Sequence, residues 1–324
     1  RYLKFLSISI GSAQSMSSET APLEAIVLEK SMISKELCTL KLQVKDGAPG
    51  FQPGAHTSLR TPFGWRNYSL ANLAEGNVWE MGIKAERDGR GASSWIVDTL
   101  AEGEIIQCQT PENTFPLHEA NSYLLIAGGI GVTAVLPMAR ALDEMGKDYQ
   151  FVYCVRDRQD AAFVDVVEAL KGDTTIHCDQ GEEEGFFDFW PLVETPDERL
   201  IYCCGPKIMM EDLEDMTGHW PEHQINFEDF KPVEIIKPDD ATFSVELKNG
   251  RQLEVNPGET ILQVLRSHGF ETRSSCESGT CGSCRTPYLS GEIEHRDLVL
   301  THDERAHDIM ICVSRAKGVV ILDV

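Results

Sequence analysis

Residues 273–285 read RSSCESGTCGSCR, and the spacing of their cysteines decides how the last part of the chain folds. The run has the form C-x4-C-x2-C, and a fourth cysteine follows further along the chain. In plant-type sites this spacing supplies four thiolates to two bridged irons. The serines and glycines between the cysteines suit a loop whose backbone N–H groups turn inward. The stretch predicts a plant-type [2Fe-2S] cluster, with metal ligands Cys276, Cys281, Cys284 and Cys312.

Two other interpretations of these cysteines are weaker. A structural zinc site usually contains two C-x2-C pairs, and only one such pair is present here. Four unrelated buried thiols are the simplest alternative, since cysteine is often buried. The cluster is preferred because it accounts for both the spacing and the small intervening residues.

Length and charge restrict the class of protein. The 324 residues are enough for two or three domains, each with its own core. A formal charge of −23 and a pI near 4.7 argue against nucleic acid or an anionic membrane as partner, whereas a basic protein remains compatible. The ten cysteines are spread over a long chain and not concentrated as in a small, disulfide-rich secreted domain. This distribution indicates a reducing, cytoplasmic location.

Two apolar stretches resemble targeting or membrane segments. Residues 1–15 have two positive charges and a short apolar run, so a signal peptide is one interpretation, but we expect residues 1–20 to be an N-terminal extension. Residues 123–142 are long enough to span a bilayer, yet glycines and Pro137 divide them into strand, loop and helix. No transmembrane segment is expected.

Residues 21–118 predict a small antiparallel barrel, since short β-rich segments alternate with glycine and proline. The strands are expected at Ala25–Leu28, Cys38–Val44, Thr57–Arg60 and Val78–Lys84. Within them lie Arg66-Asn67-Tyr68-Ser69-Leu70 and the loop Gly89–Ser94, which precedes an apolar segment, Trp95–Leu100. The loop offers N–H groups to a phosphate, with Arg66 and Lys84 as compensating charges and Tyr68 to cover an aromatic ring. An ordinary surface strand and turn would have the same local sequence.

Residues 119–230 predict a parallel α/β domain. The strand Tyr123–Ala127 ends in the glycine turn Gly128–Thr133, followed by the helix Ala134–Met145, which is the context for a pyrophosphate at a helix N-terminus. The glycines could instead serve packing only. Asp157, after the strand Tyr149–Val155, is a candidate for binding a ribose and favouring NADH over NADPH, or a surface residue that caps the next helix.

The predicted strand Leu200–Cys203 leads to a further candidate for nucleotide binding, besides the glycine turn and Asp157. Ligands bind at the carboxyl ends of parallel strands, so Cys204 is a candidate to lie beside a nicotinamide, or simply a small residue packing a turn. Residues 231–240, with two prolines, are expected to be a linker to a strand-rich domain at 241–324 that houses the cysteines.

In this order, the motifs resemble the phthalate dioxygenase reductase family, whose members serve Rieske-type aromatic-ring oxygenases. The similarity spans about residues 21–324. It is carried by Arg66-Asn67-Tyr68-Ser69-Leu70, Gly89-Arg90-Gly91, Gly128–Thr133, Cys203-Cys204-Gly205-Pro206, Phe227-Glu228, Phe230 and the four cysteines. The resemblance implies a multidomain α/β plus β fold: a flavin-binding antiparallel barrel, a parallel NADH-binding domain and a β-grasp-like ferredoxin domain.

The resemblance also implies roles for single residues. The FMN phosphate would be held by Arg66, Lys84, Gly91 and Ser93. The isoalloxazine would be contacted by Tyr68 and Ser69, with Ser69 near N5, and Asn67 would add backbone contacts. Gly129, Gly131 and Thr133 would line the NADH site, to which Gly205 and Pro206 also belong as cofactor-binding residues. Cys204 would lie near the hydride path, and Phe230 would cover the flavin. Ala92, where a third glycine is usual, and Ala134, where proline is usual, depart from the family pattern.

The implied activity is that of a reductase. NADH would pass a hydride to FMN, and single electrons would leave through the cluster for an oxygenase with a Rieske centre, because a cluster accepts one electron at a time. A monooxygenase or O-demethylase is an alternative acceptor. A non-enzymatic iron-sulfur carrier or redox sensor is an alternative of another class, but it would not require the motifs between residues 23 and 230.

Overall fold

The computed structural model describes residues 21–180, 185–230, 237, 240–274, 277, 279 and 282–324. Three sheets follow one another along this part of the chain, with six, five and five strands. Each sheet lies inside one of the three predicted segments, whose boundaries stay a prediction. The predicted extension at residues 1–20 and most of the predicted linker lie outside the described residues.

The first sheet is antiparallel and has one short helix beside it: β1 (Leu23–Met32), β2 (Leu37–Val44), β3 (His56–Thr61), β4 (Gly64–Ser69), β5 (Val78–Lys84), α1 (Ala92–Asp98) and β6 (Ile105–Cys108). The strand order is β4-β3-β6-β1-β2-β5, and the two edge strands approach each other, so the sheet nearly closes into the predicted barrel. In β2 the side chains of Leu40, Leu42 and Val44 are buried while those between them are partly exposed, which is the alternation expected of a strand with one face on a core.

Helix α1 begins earlier than the apolar segment Trp95–Leu100 suggested, so part of the predicted loop is helical. Gly91 precedes the helix with φ +90°, a backbone conformation that residues with a Cβ rarely adopt. Ser93 and Ser94 then lie in the first turn, where both hydroxyls bond to the backbone of Glu86. These bonds hold the loop against the helix, and serine hydroxyls commonly serve this purpose at helix starts.

The second sheet is parallel: β7 (Ser122–Gly128), α2 (Val132–Met145), β8 (Asp148–Val155), α3 (Val164–Glu168), β9 (Asp173–Cys178), α4 (Trp190–Val193), β10 (Leu200–Cys204), α5 (Lys207–Met216) and β11 (Ile225–Glu228). Its order is β11-β10-β7-β8-β9. The chain runs outward from β7 to β9 and returns to β10 on the other side of β7. The carboxyl ends of β7 and β10 therefore form the topological switch point, where open α/β sheets bind ligands.

The apolar stretch 123–142 is divided between β7 and α2, as predicted. Among the helices of the described residues, none has the length and apolar character needed to cross a bilayer.

The third sheet is mixed: β12 (Phe243–Glu246), β13 (Gln252–Val255), α6 (Ile261–Ser267), β14 (Arg285–Glu294), β15 (Asp308–Met310) and β16 (Arg315–Leu322). Its order is β13-β12-β16-β14-β15, in which β12 and β16 are parallel and the other pairs antiparallel. Helix α6 begins with a reciprocal capping box between Thr260 and Gln263 and buries its apolar face on the sheet. This is the predicted β-grasp-like arrangement.

The barrel and the parallel domain pack directly on each other through β5 and α2. Glu80 of β5 accepts a hydrogen bond from Arg140 of α2 at 3.3 Å. A Cβ at Gly82 of β5 would lie 2.9 Å from the Ile130 side chain and 3.0 Å from the Thr133 side chain, so the glycine lets these two side chains approach the strand closely. The glycine turn after β7 therefore faces the barrel.

Candidate functional site

Cys284 and Cys312 meet although they lie 28 positions apart. Cys284 precedes β14 and Cys312 follows β15, and pairing of Arg285 with Met310 brings these ends together. Their Sγ atoms are 2.9 Å apart, and the two residues are 3% and 1% exposed. Two thiols held this close and away from water fit thiolate ligation of one metal centre. Cys276 and Cys281, the other predicted ligands, lie outside the described residues.

Strand β4 supplies the residues predicted to contact the flavin. Asn67 accepts a hydrogen bond from the Ser58 hydroxyl at 2.6 Å, which fixes its side chain on the neighbouring strand. Tyr68 packs against the barrel core, and burial raises the pKa of its phenol, so the ring stays neutral. Ser69 is buried at the end of the strand. The strand thus offers a neutral aromatic ring and a hydroxyl at consecutive positions.

Arg66, the predicted phosphate ligand, contacts Glu277 in the stretch 273–285 that contains three of the predicted cluster ligands, called the cysteine loop below. Its Nη1 donates to Oε2 of Glu277 at 3.0 Å, and the two side chains are 14% and 10% exposed. Burial raises the pKa of Glu277, but hydrogen bonding from Arg266 and the charges of Arg66 and Arg266 outweigh it and hold this pKa below its usual value. The carboxylate is therefore charged. The structure brings the predicted phosphate site and the predicted cluster loop into direct contact.

The remaining predicted phosphate residues lie around the start of α1. Gly91 packs so closely on the ring of Phe63 that a Cβ would lie 3.0 Å from it. Ala92 and Ser93 form the first turn of α1, and Lys84 is exposed at the end of β5, the strand on which α1 packs. Arg90 lies 3.6 Å from Glu277, so the loop before α1 reaches the same carboxylate as Arg66.

The glycine turn after β7 and the turn after β10 are in contact at the switch point. A Cβ at Gly131 would lie 2.1 Å from the carbonyl oxygen of Cys204, and one at Gly128 would lie 2.5 Å from Pro206. Thr133 is buried, and its hydroxyl donates to the carbonyl of Ile130 at 2.9 Å. The structure thus brings together Gly129, Gly131, Thr133, Cys204, Gly205 and Pro206, the residues predicted to line the NADH site.

Asp157 lies beyond the end of β8, as predicted, and is exposed. Its Oδ1 accepts a hydrogen bond from the backbone N–H of Gln159 at 2.9 Å and caps a short 3-10 helix over Arg158–Asp160. The capping alternative is thereby confirmed as one role of this residue. Binding of a ribose stays a prediction.

Glu228 is the partner of Cys204 across the parallel pair β10 and β11. Burial raises the pKa of the Cys204 thiol well above its usual value, and Glu228 raises it further. Burial also raises the pKa of Glu228 to about 8, and its enclosed Oε2 has no hydrogen-bond partner in the described part of the chain. Phe230 follows two residues later with 43% exposure. Sequence reasoning assigned no role to Glu228, since nothing local signals its burial.

We predict that replacing Glu228 with glutamine stabilises the protein more at pH 8 than at pH 5. The unfolded carboxyl loses its proton near pH 4.5 and the folded one near 8, so folding stability falls as pH rises through this range and then levels off. A glutamine side chain does not ionise, so the variant does not lose folding stability over this pH range. The scale of the expected difference is that of an unpaired buried polar group, which costs about 1–3 kcal/mol. Thermal unfolding across pH, with exposed Glu222→Gln as the control, measures the difference. Parallel pH curves for wild type and Glu228→Gln would contradict the assignment.

The three groups of residues form a continuous path. The switch-point turns pack on the barrel at Gly82, the barrel carries β4, and Arg66 of β4 contacts the loop between the predicted cluster ligands. The arrangement can bind a dinucleotide, a flavin and a metal cluster in sequence, each next to the following one.

Comparison with known proteins supports this interpretation. The model of the 2Fe-2S iron-sulfur cluster binding domain matches residues 245–317. Phthalate dioxygenase reductase of Burkholderia cepacia is 39% identical over 308 residues, which cover 92% of this chain and 96% of that protein. The reductase subunit of phthalate 4,5-dioxygenase from Pseudomonas putida is 40% identical over 308 residues, with coverage of 92% and 95%.

A solved structure of phthalate dioxygenase reductase also superimposes on this chain. It gives a TM-score of 0.77 at 38% identity and covers 94% of this chain and 98% of its own. That protein is described as a modular structure for electron transfer from pyridine nucleotides to [2Fe-2S].

Proposed function

The chain belongs to the phthalate dioxygenase reductase family, and we propose that it is the reductase component of a Rieske-type aromatic-ring oxygenase. In this proposal it takes hydride from NADH onto FMN and passes single electrons through a [2Fe-2S] cluster to the oxygenase. The coarser statement, that it is an oxidoreductase supplying electrons to an oxygenase, follows from the family. The observation that carries the proposed electron relay from flavin to cluster is the Arg66–Glu277 contact, which joins the barrel to the cysteine loop.

The fit of the residues to each group supports the proposal. When bound, FMN exchanges electrons in pairs or singly and the cluster singly, which is why both are required. Arg66, with Arg90 close by, offers guanidinium groups suited to a phosphate. Tyr68 offers a neutral ring, and Cys284 and Cys312 offer two converging thiols. Lys84, Gly91, Ala92 and Ser93 are proposed to complete the phosphate site.

The switch point is the proposed NADH site. Gly129 is partly exposed in the turn before α2, where a pyrophosphate is proposed to bind at the helix N-terminus, whereas Gly131 is buried against Cys204 at the carboxyl end of β10. The thiol of Cys204 is protonated, so its proposed role is to pack beside the nicotinamide and not to act as a nucleophile. Ser69 and Phe230 are proposed to contact the flavin from the barrel and from beyond β11.

The proposal predicts a coloured protein that NADH bleaches under anaerobic conditions and that reduces cytochrome c. Extraction should yield FMN, identified by mass, together with iron and sulfide in equal amounts. Asp157 favours NADH, so NADPH should reduce the flavin more slowly. An unchanged visible spectrum after NADH addition would overturn the reductase proposal, and iron without flavin would favour a non-enzymatic carrier.

The identity of the acceptor needs a separate experiment. Purified oxygenase components of the Rieske type should accept electrons from the reduced protein, and their aromatic substrates should be consumed with NADH. Turnover with a monooxygenase or O-demethylase component, and none with ring dioxygenases, would replace the proposed acceptor but leave the reductase activity intact.

A further inference from the structure

Glu277 is contacted by arginines from two different parts of the fold. Its Oε2 accepts from Arg66 at 3.0 Å, and its Oε1 accepts from Arg266 at 2.6 Å. Arg90 lies 3.6 Å from Oε2 and 3.5 Å from the backbone carbonyl of Glu277. Arg66 and Arg90 belong to the barrel, whereas Arg266 belongs to α6 of the cluster domain. One carboxylate thus joins the two domains.

The position of Glu277 is tightly determined. Ser274 donates a hydrogen bond to Oε1 at 3.0 Å, and Arg266 in turn holds Ser274 and, at 3.1 Å, Thr272. The backbone of Glu277 has φ +52°, in the left-handed region that glycine favours. A residue other than glycine stays in this conformation only when its surroundings over-determine it. Here the buried carboxylate contacts do so.

The charges around Glu277 indicate why the contact forms at this place. Three guanidinium groups meet one carboxylate, so the group as a whole has an excess of positive charge. A phosphate monoester carries a charge of about −1.5 to −2 near pH 7. The same group of arginines can therefore bind two anions, the phosphate of the proposed FMN and the carboxylate of Glu277. The pair Arg66–Glu277 is largely removed from water, where ionic contacts are less screened.

We propose that Glu277 is a positioning residue that clamps the cysteine loop onto the barrel beside the phosphate-binding arginines. Glu277 lies between two predicted cluster ligands, Cys276 and Cys281, so holding its carboxylate holds the loop. The clamp sets the separation between the flavin site and the cluster site. Its consequence for electron transfer rests on the proposed function, whereas the clamp itself does not.

Hydrogen–deuterium exchange of the full-length protein tests the clamp without any turnover. Glu277→Gln keeps the shape of the side chain and removes its charge. Peptides covering residues 61–70 and 86–94, which contain Arg66 and Arg90, should then exchange about tenfold faster, since local opening governs exchange. Glu271→Gln, an exposed carboxylate of the same loop, is the matched control and should exchange like the wild type. Unchanged exchange in Glu277→Gln would overturn the proposal.

Rapid-mixing absorbance with NADH under anaerobic conditions tests the consequence. In Glu277→Gln the flavin should be reduced within about twofold of the wild-type rate, while arrival of electrons at the cluster slows about tenfold, in proportion to the docked fraction. Equal rates at both steps in variant and wild type would overturn the positioning role. A wild-type flavin that NADH fails to reduce would instead overturn the proposed function, and the exchange experiment would still decide the clamp.

A second variant is needed because Glu277 adjoins a predicted ligand, so Glu277→Gln could also lose the cluster. Arg90 reaches the same carboxylate from the barrel, and Arg90→Gln removes that ionic contact. It should speed exchange at residues 61–70 in the same direction but less, since its distance to Glu277 is longer. If Glu277→Gln loses iron, an effect of Arg90→Gln on exchange supports the clamp, and no effect overturns it.

Discussion

Replacing Cys284 with serine is expected to abolish electron delivery from NADH to cytochrome c while leaving flavin reduction by NADH within about twofold of wild type. Cys284 is buried, and its sulfur lies 2.9 Å from that of Cys312, so the substitution removes a ligand at the centre of the proposed cluster site. Serine is a poor replacement, because iron-sulfur clusters are held by thiolates. Losing an outer-shell partner typically costs about 10- to 100-fold in metal affinity or activity, and losing a ligand should cost more.

The separation of the two activities is the informative result. The proposed NADH and flavin sites are built on the parallel sheet and the barrel, whereas Cys284 belongs to the third sheet and its own hydrophobic core. Cys178→Ser, at the end of β9 and outside all three sites, is the matched control and should keep both activities. Iron and sulfide analysis measures cluster loss directly. A Cys284→Ser variant that retains iron and reduces cytochrome c normally would contradict the ligand assignment.

The features predicted from sequence are those with a local signal. The glycine turn between β7 and α2 and the alternation of β2 each extend over few residues, and each predicted its element correctly. The cysteine spacing predicted the [2Fe-2S] domain, which the family model matches over residues 245–317. The start of α1 was placed too late, because Ala92 and two serines are ambiguous between loop and helix. The serine hydrogen bonds to the backbone of Glu86, seven and eight positions earlier, depend on how the intervening loop folds.

The features that sequence reasoning missed are contacts between distant segments. Arg66 and Glu277 are 211 positions apart, and neither residue alone indicates the other. The burial of Glu228 likewise depends on β10 pairing with β11, although its place beside Cys204 could be inferred once both strands were aligned. Motif matching predicted Arg66 and Cys204 as site residues, whereas their contacts with Glu277 and Glu228 could be seen only in the fold.

The second large effect is expected at Gly131, where alanine should lower NADH-dependent flavin reduction about 100-fold or more, as a displacement of about 1 Å at a reacting site can do. The backbone of Gly131 has φ −58° and ψ −15°, which alanine adopts readily, so conformational strain is not the cause. The cause is steric. The new Cβ would lie 2.1 Å from the carbonyl oxygen of Cys204, 2.5 Å from its carbon and 2.9 Å from the nitrogen of Gly205.

All three atoms are backbone, so no side chain can rotate away, and the turns after β7 and β10 must separate. That separation would displace the proposed pyrophosphate and nicotinamide positions together, because the two turns form opposite sides of the switch point. Gly218→Ala adds the same methyl group in the same domain, where its nearest atom would be 3.6 Å away, and should behave like the wild type. Flavin content and reduction of the cluster by dithionite should be normal in both variants, because the barrel and the cluster domain are untouched. A folded Gly131→Ala protein that oxidised NADH as fast as Gly218→Ala would show that the close approach of these turns does not form the NADH site.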